Sequence, residues 1–238
     1  MIVLSIDSSS KVATAALFKD DKILSEIILN DKREHSVILM TIIEDLLKHN
    51  KLTINDIDGF VVSKGPGSFT GLRIGMATIK GLSFGSNKPY VSVSSLDALA
   101  YSVFNFDGII CPIMDALRNS VYTALYKSNP NGLEKLSDYS ALDIDELISL
   151  IKEKNDKVIF IGDGLNKYKD YLSENCPNAY FPPAHLNVIH ASALAEIGSK
   201  LLKEGICDDP NSSPIYLKKP QAEREYEQRM QLKNECNS

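Results

Sequence analysis

Two aspartates stand where a carboxylate can do chemistry. Asp7 ends the apolar run Ile2 to Asp7 and precedes Ser8-Ser9-Ser10-Lys11, and Asp115 ends Ile109 to Asp115 and precedes the turn Leu117-Arg118-Asn119. A strand-end carboxylate can organise a metal ion and its water beside a phosphate. It can also bond its own backbone and shape a turn. Asp7, Ser9 and Asp115 are therefore the candidate nucleotide-binding residues, with that plainer role open beside it. The histidines are His35, His49, His185 and His190. None forms the i, i+4 pair that puts two imidazoles on one helix face for a metal, and no Ser-His-Asp or Cys-His string stands out. The expectation is no catalytic residue and no metal ligand.

The string Gly65-Pro66-Gly67-Ser68-Phe69-Thr70-Gly71 invites a phosphate reading. It lacks the Gly-Lys-Ser/Thr end of a Walker loop and the G-x-G-x-x-G of a dinucleotide fold. It reads as a rigid connector into a helix, whose first N–H groups near Ser68 could receive an anion.

The elements that must position these residues come in a telling order. Ile2 to Asp7, Val12 to Phe18 and Ile23 to Leu29 read as three strands on short turns, hence an antiparallel meander. A helix from about Glu34 to His49 carries Ile38, Leu39, Ile42, Ile43, Leu46 and Leu47 at helical spacing, with Asn50 as a left-handed stop. A strand at Phe60 to Ser63, a helix to about Gly85, a strand at Tyr90 to Val93 and a helix near Leu96 to Phe104 complete the half. The second half repeats this loosely: strands at Ile109 to Asp115, Ser120 to Lys127 and Leu133 to Ser137, then a helix from Asp143 to Glu153. The strand Val158 to Ile161, a helix after Gly162-Asp163-Gly164, a strand at Ala179 to Phe181 and a helix from His190 to Glu204 follow. Two β-β-β-α-β-α lobes describe an α/β, two-lobed actin-like ATPase fold of the ribonuclease H-like class, the second lobe irregular. The expected division is residues 1–105, 106–220 and a polar tail at 221–238.

The helix opened by the glycine loop is unusual. Gly71, Gly75, Thr78, Gly81 and Gly85 make one stripe of small side chains, while Leu72, Met76 and Ile79 lie on another face. Only Arg73 and Lys80 carry charge. Each interior glycine costs about 1 kcal/mol relative to alanine, so the helix is poor in isolation. Its lack of a wide polar face calls for burial from more than one direction, within the chain or against a helix of a partner.

The 238 residues, 44% hydrophobic and 24% charged, suit one large or two small lobes of an ordinary globular protein. A net charge of −5 argues against a free-standing nucleic-acid binder. Cys111, Cys176, Cys207 and Cys236 have no C-x-x-C spacing, and the N-terminus has no signal-peptide pattern. No apolar run approaches the roughly 20 residues of a membrane span. A cytoplasmic chain is expected.

The run Ser63-Lys64-Gly65-Pro66-Gly67-Ser68-Phe69-Thr70-Gly71-Leu72-Arg73-Ile74-Gly75 resembles the signature of the bacterial TsaB (YeaZ) family. The resemblance continues through Asp7 to Ser9, His35-Ser36 and Val93-Ser94-Ser95-Leu96-Asp97-Ala98-Leu99-Ala100. In the second half it runs through Asp115 to Tyr122, Gly162-Asp163-Gly164 and Pro214-Ile215-Tyr216-Leu217. One departure is that the family usually has Asp-Ala-Arg where this chain has Asp115-Ala116-Leu117, its arginine falling at Arg118. The resemblance implies a part in forming N6-threonylcarbamoyladenosine in tRNA. There the chain would pair with the catalytic paralogue TsaD, with the ATPase TsaE binding the pair, ATP and Mg used by the assembly, and tRNA met only within the complex. It implies a homodimer in isolation and no cofactor of its own. TsaD carries a metal-binding His-x-x-x-His where this chain has Ser95 and Leu99, so the chain reads as a pseudoenzyme. The candidate pairing face is His35, Leu39, Ile42, Gly71, Leu72, Gly75, Met76, Thr78, Ile79 and Leu82. A charge at Gly75 is expected to abolish both pairings. Another class stays open: an active nucleotide-dependent enzyme using Asp7 as base, or a peptidase acting on TsaD.

Overall fold

The computed structural model describes residues 1–30, 35–130 and 132–218; the tail at 221–238 lies outside them. The first half runs β1 (Ile2–Asp7), β2 (Ala13–Lys19), β3 (Lys22–Leu29), α1 (His35–His49), β4 (Gly59–Ser63), α2 (Phe69–Ser86), β5 (Tyr90–Val93) and α3 (Ser95–Tyr101). Its sheet has the order β3-β2-β1-β4-β5. The meander β1-β2-β3 is antiparallel, and β4 and β5 add in parallel. Asp20 and Asp21 make the β2–β3 turn with φ of 45° and 65°, the left-handed pair that matches strand twist in a two-residue hairpin. The left-handed residue after α1 is Lys51, at φ 54°, and not Asn50. The Asn50 amide instead donates to Leu46 O at 2.8 Å and to Ser25 Oγ at 2.6 Å, tying the helix end to β3.

The second half runs β6 (Ile109–Asp115), β7 (Ser120–Thr123), β8 (Tyr126–Asn129), β9 (Gly132–Lys135), β10 (Ser140–Asp143), α4 (Ile144–Lys154), β11 (Val158–Ile161), α5 (Leu165–Asn175), β12 (Ala179–Tyr180) and α6 (Ala191–Lys203). The path β10-β7-β6-β11-β12 reproduces the first sheet strand for strand. The strand expected at Ser120 to Lys127 is interrupted at Ala124 and Leu125. Their side chains keep the alternation between the two cores, but the Leu125 N–H donates to Ser137 Oγ at 2.9 Å and its carbonyl accepts from Leu136 N–H at 2.7 Å. The expected third strand belongs to the hairpin β8–β9, an insertion that pairs with β6. The true counterpart of β3 is β10, antiparallel to β7.

Each sheet is covered outside by its own helices and inside by a shared core. Leu4, Ile6, Ala15 and Leu17 pack with Ile38, Leu39, Ile42, Ile43, Met76 and Ile79 of α1 and α2. On the far side of the second sheet, Leu147, Ile151, Leu165 and Leu172 of α4 and α5 cover Cys111 and Phe160. Burial pushes the Cys111 thiol up to about 12, so it stays a protonated packing group. Between the sheets, Val61, Leu96, Leu99, Ile110, Ile161 and Leu194 form one continuous core, so the lobes are joined by packing.

α3 and α6 lie in that middle layer. Asp97 of α3 accepts hydrogen bonds from Tyr126 at 2.7 Å and Tyr139 at 2.9 Å; burial first, then this carboxylate, holds both phenols protonated. α6 crosses back onto the first sheet: the Ser5 hydroxyl donates to Ala191 O at 2.6 Å. A Cβ on Gly198 would stand 2.4 Å from Val61 Cγ2. Val61 is fully buried and has no room to yield, so Gly198→Ala is expected to destabilise by about 1–3 kcal/mol in a denaturant titration.

Candidate functional site

The two strand-end aspartates make the same local bond, although Asp7 is buried and Asp115 is exposed. Asp7 Oδ1 accepts from Ser9 N at 3.3 Å, and Asp115 Oδ1 from Leu117 N at 3.0 Å. Each thus closes the turn two residues on, so the turn-forming role is realised at both. The fold then brings in a third acid from the Gly162-Asp163-Gly164 turn after β11: Asp163 Oδ1 accepts from Asp115 N at 3.1 Å. Burial first, then the charges of Asp115 and Asp7, push the Asp163 carboxyl from 3.8 up to about 6, although the Asp115 N–H and Lys11 pull the other way. Gly162 has φ 118° and its Cβ position lies 2.4 Å from Ile113 O, so only glycine lets this turn sit against β6. Asp163 lies outside the site expected from sequence; the signal for it is that its turn follows β11 as the glycine loop follows β4. Among the described residues, no group of three or more His, Cys, Asp or Glu is arranged to hold a metal ion.

Ser9 serves the glycine loop. Its carbonyl accepts Ser68 N–H at 2.6 Å, and a Cβ on Gly67 would stand 2.3 Å from that oxygen. Gly71 N–H is bonded to Ser68 Oγ at 3.2 Å. Two of the N–H groups at the start of α2 are therefore already bonded within the chain, which weakens the anion reading of this helix end. Gly65, at φ 95°, needs the left-handed backbone only glycine adopts freely. The loop is a connector locked to the β1–β2 turn. Arg118 stands exposed in the β6–β7 turn, where Leu117, Arg118 and Asn119 all have positive φ.

The small stripe of α2 divides in two. Gly71 and Gly75 are buried against this chain: Ser8 Oγ donates to Gly71 O at 2.8 Å, and a Cβ on Gly75 would stand 2.5 Å from Ser8 Oγ. Gly81 and Gly85 are exposed, with nothing within 4 Å of an added Cβ. Of the residues expected on a pairing face, Leu39, Ile42, Leu72, Met76 and Ile79 are buried in the chain's own core, as their helical spacing toward the sheet requires. Thr78 is half-buried and its hydroxyl donates to Ile74 O at 2.9 Å, while Leu82 packs at the edge of the same core. These residues hold the helices from beneath. What α1 and α2 present outward is Val37 and Met40, at 62% and 49% exposure, with Ala77, Gly81, Gly85 and Phe84, the last 91% exposed. The side chain of His35 lies outside the described groups.

The remaining flank of α2 is taken by residues 206–218. Lys80 Nζ donates to Pro210 O at 2.7 Å and Ser212 O at 2.6 Å, and Ile215 N–H to Lys64 O at 2.7 Å. The Tyr90 hydroxyl donates to Asp209 O at 2.8 Å, and Ser92 is bonded to the Asp208 carboxylate. Arg73 lies 4.2 Å over the Phe69 ring and reaches Tyr216 OH at 3.3 Å. The strap thus engages both charges of the helix, Arg73 and Lys80, and Pro214 to Leu217 belong to it.

Two duplicated β-β-β-α-β-α units, with an aspartate ending the first strand of each, define a two-lobed protein of the actin-like ATPase fold. The structure is similar over 84% of this chain to component A of (R)-2-hydroxyglutaryl-CoA dehydratase from Acidaminococcus fermentans, 98% of which is covered (TM-score 0.51, 11% identity). It is similar over 91% of this chain to a Pseudomonas aeruginosa protein described as having similarity to peptidase YEAZ, 99% covered, with TM-score 0.75 and 21% identity. Residues 22–226 match the family model described as TsaD, tRNA N6-adenosine threonylcarbamoyltransferase. The tRNA threonylcarbamoyladenosine biosynthesis protein TsaB of Bacillus subtilis (strain 168) is 33% identical over 227 residues, covering 95% of this chain and 98% of the relative. The chain belongs to the TsaB (YeaZ) family. Among the described residues no helix is long and apolar enough to cross a membrane.

Proposed function

We propose that this chain takes part in forming threonylcarbamoyladenosine in tRNA, as the non-catalytic subunit that pairs with TsaD and, through the pair, recruits TsaE. The observation that carries the non-catalytic part lies on α3. By the family resemblance, Ser95 and Leu99 stand where the catalytic paralogue carries its metal-binding His-x-x-x-His. Both are buried: Ser95 Oγ is bonded to Ser63 Oγ at 3.0 Å, and Leu99 sits in the core between the sheets. A metal site needs ligating atoms facing an open position, and these two face packed interior. ATP and Mg then belong to the assembly, and tRNA is met within it.

The pairing surface in this reading is the outward face of α1 and α2, where glycines allow close backbone approach around Phe84 and Met40. A homodimer in isolation would use the same face. The test is reconstitution with TsaD, TsaE, the synthase, ATP and tRNA. Transfer is expected to need this chain, which alone transfers nothing; full transfer without it overturns the proposal.

The contact of Asp163 with Asp115, and the charge of Asp7 acting on Asp163, favour one rival, an active nucleotide-dependent enzyme. Calorimetry with Mg-ATP on the chain alone separates the two, since the rival requires binding. For a peptidase acting on TsaD, intact TsaD after prolonged incubation counts against it.

A further inference from the structure

Glu26, on the edge strand β3, reaches the first turn of α6. Its Oε1 accepts from Ser192 N–H at 2.9 Å and from the Ser192 hydroxyl at 3.1 Å, and its Oε2 lies 3.1 Å from His190 Nδ1. The other ring nitrogen, Nε2, lies 3.0 Å from His185 O. A carboxylate and a carbonyl only accept hydrogen bonds, and a neutral imidazole has one N–H to give. Only the doubly protonated ring satisfies both neighbours. The two side chains are 18% and 16% exposed, so water is a poor substitute partner. His190 is the N-cap residue of α6 but makes no capping bond with its own side chain. The Glu26 carboxylate supplies that bond from the other end of the sequence, at the helix end that favours a negative charge.

We propose that His190 and Glu26 form a proton-operated clasp that fastens the crossing helix α6 to the edge strand of the first lobe, closed while His190 carries both ring protons and loosened when it loses one. The neighbours leave Glu26 as the group that controls it. The 3-10 turn at Ala184–Leu186 presents the His185 carbonyl, and β1 presents the uncharged Ser5 hydroxyl to Ala191 O. The other charges on α6 are engaged elsewhere, Glu196 and Lys200 with Tyr101, and Lys203 with Asp21. Energetics agree with the geometry. The bond to Glu26 raises His190 above 6.5 despite burial; burial pushes Glu26 up, but the bonds from His190 and Ser192 outweigh it and hold it below 4.5. A raised histidine contributes stability below 6.5 that is lost as pH rises through its folded value. A lowered glutamate contributes above 4.5 and loses it as pH falls. The clasp is thus fully closed between these two values.

The test is a proton NMR titration of the wild-type chain, with the His190 ring signal assigned by its loss in H190Q or, should that variant not fold, from the backbone-assigned spectrum. The His190 midpoint is expected above 6.5, with the Ser192 amide signal moving at the same midpoint. In E26Q the His190 midpoint should fall by about one unit, a tenfold loss of proton affinity. A wild-type midpoint at or below 6.5, a Ser192 amide that does not follow it, or an unchanged midpoint in E26Q would each overturn the clasp.

Discussion

Gly75→Glu is expected to unfold the chain, whereas Gly81→Glu is expected to leave it folded and abolish pairing with TsaD. The two glycines lie on one stripe of α2, yet their surroundings are opposite. At Gly75 a Cβ would collide with Ser8 Oγ at 2.5 Å, and that hydroxyl is itself committed to Gly71 O. A glutamate there adds a buried, unpaired charge, a combination that costs on the order of 4 kcal/mol or more. Gly81 faces open space, and replacing an exposed helical glycine with a good helix former adds up to about 1 kcal/mol of stability. Thermal melts of the two variants, followed by a pull-down with TsaD, check the contrast. A stable Gly81→Glu chain that still captures TsaD would place the pairing face elsewhere. The charge at Gly75 first expected to test pairing therefore tests folding instead.

Asp163→Asn is expected to stabilise the protein at neutral pH and to change nothing in acid. A carboxyl raised from 3.8 to about 6 is neutral in folded and unfolded chains below 3.8, and ionised in both above about 6. The folded state then carries a largely buried charge beside Asp7 and Asp115, and stability is lost as pH rises through that window. Asparagine keeps an oxygen for the Asp115 N–H and removes the charge. The gain grows between pH 3.8 and about 6 and reaches about 1–3 kcal/mol above it. Urea midpoints at pH 4 and pH 8 read the difference, and an equal effect at both would show that the charge is not the cause.

Much of the fold was legible because it rests on local rules. Strands and helices follow side-chain period, and the left-handed turns at Asp20-Asp21 and Leu117 to Asn119 fall at residues between strong apolar runs. The second lobe is less legible because Ala124 and Leu125 keep a strand's alternation between two cores, while the Leu125 backbone bonds the distant Ser137 and Leu136. The hairpin β8–β9 also masks β10, because the strand expected at Leu133 to Ser137 falls on the inserted hairpin and the counterpart of β3 follows it at Ser140–Asp143.

At the functional sites, sequence by itself determined which residue types are available: an aspartate ending the first strand of each half, no histidine at Ser95 or Leu99, and a helix too rich in glycine to stand alone. The tertiary structure alone decided what each one meets. It set Asp163 beside Asp115, split one glycine stripe into a half packed on Ser8 and a half facing solvent, laid residues 206–218 along Arg73 and Lys80, and carried His190 to Glu26. Those partners are separated by tens to hundreds of positions, and a periodic pattern reports which face is apolar without saying what will cover it.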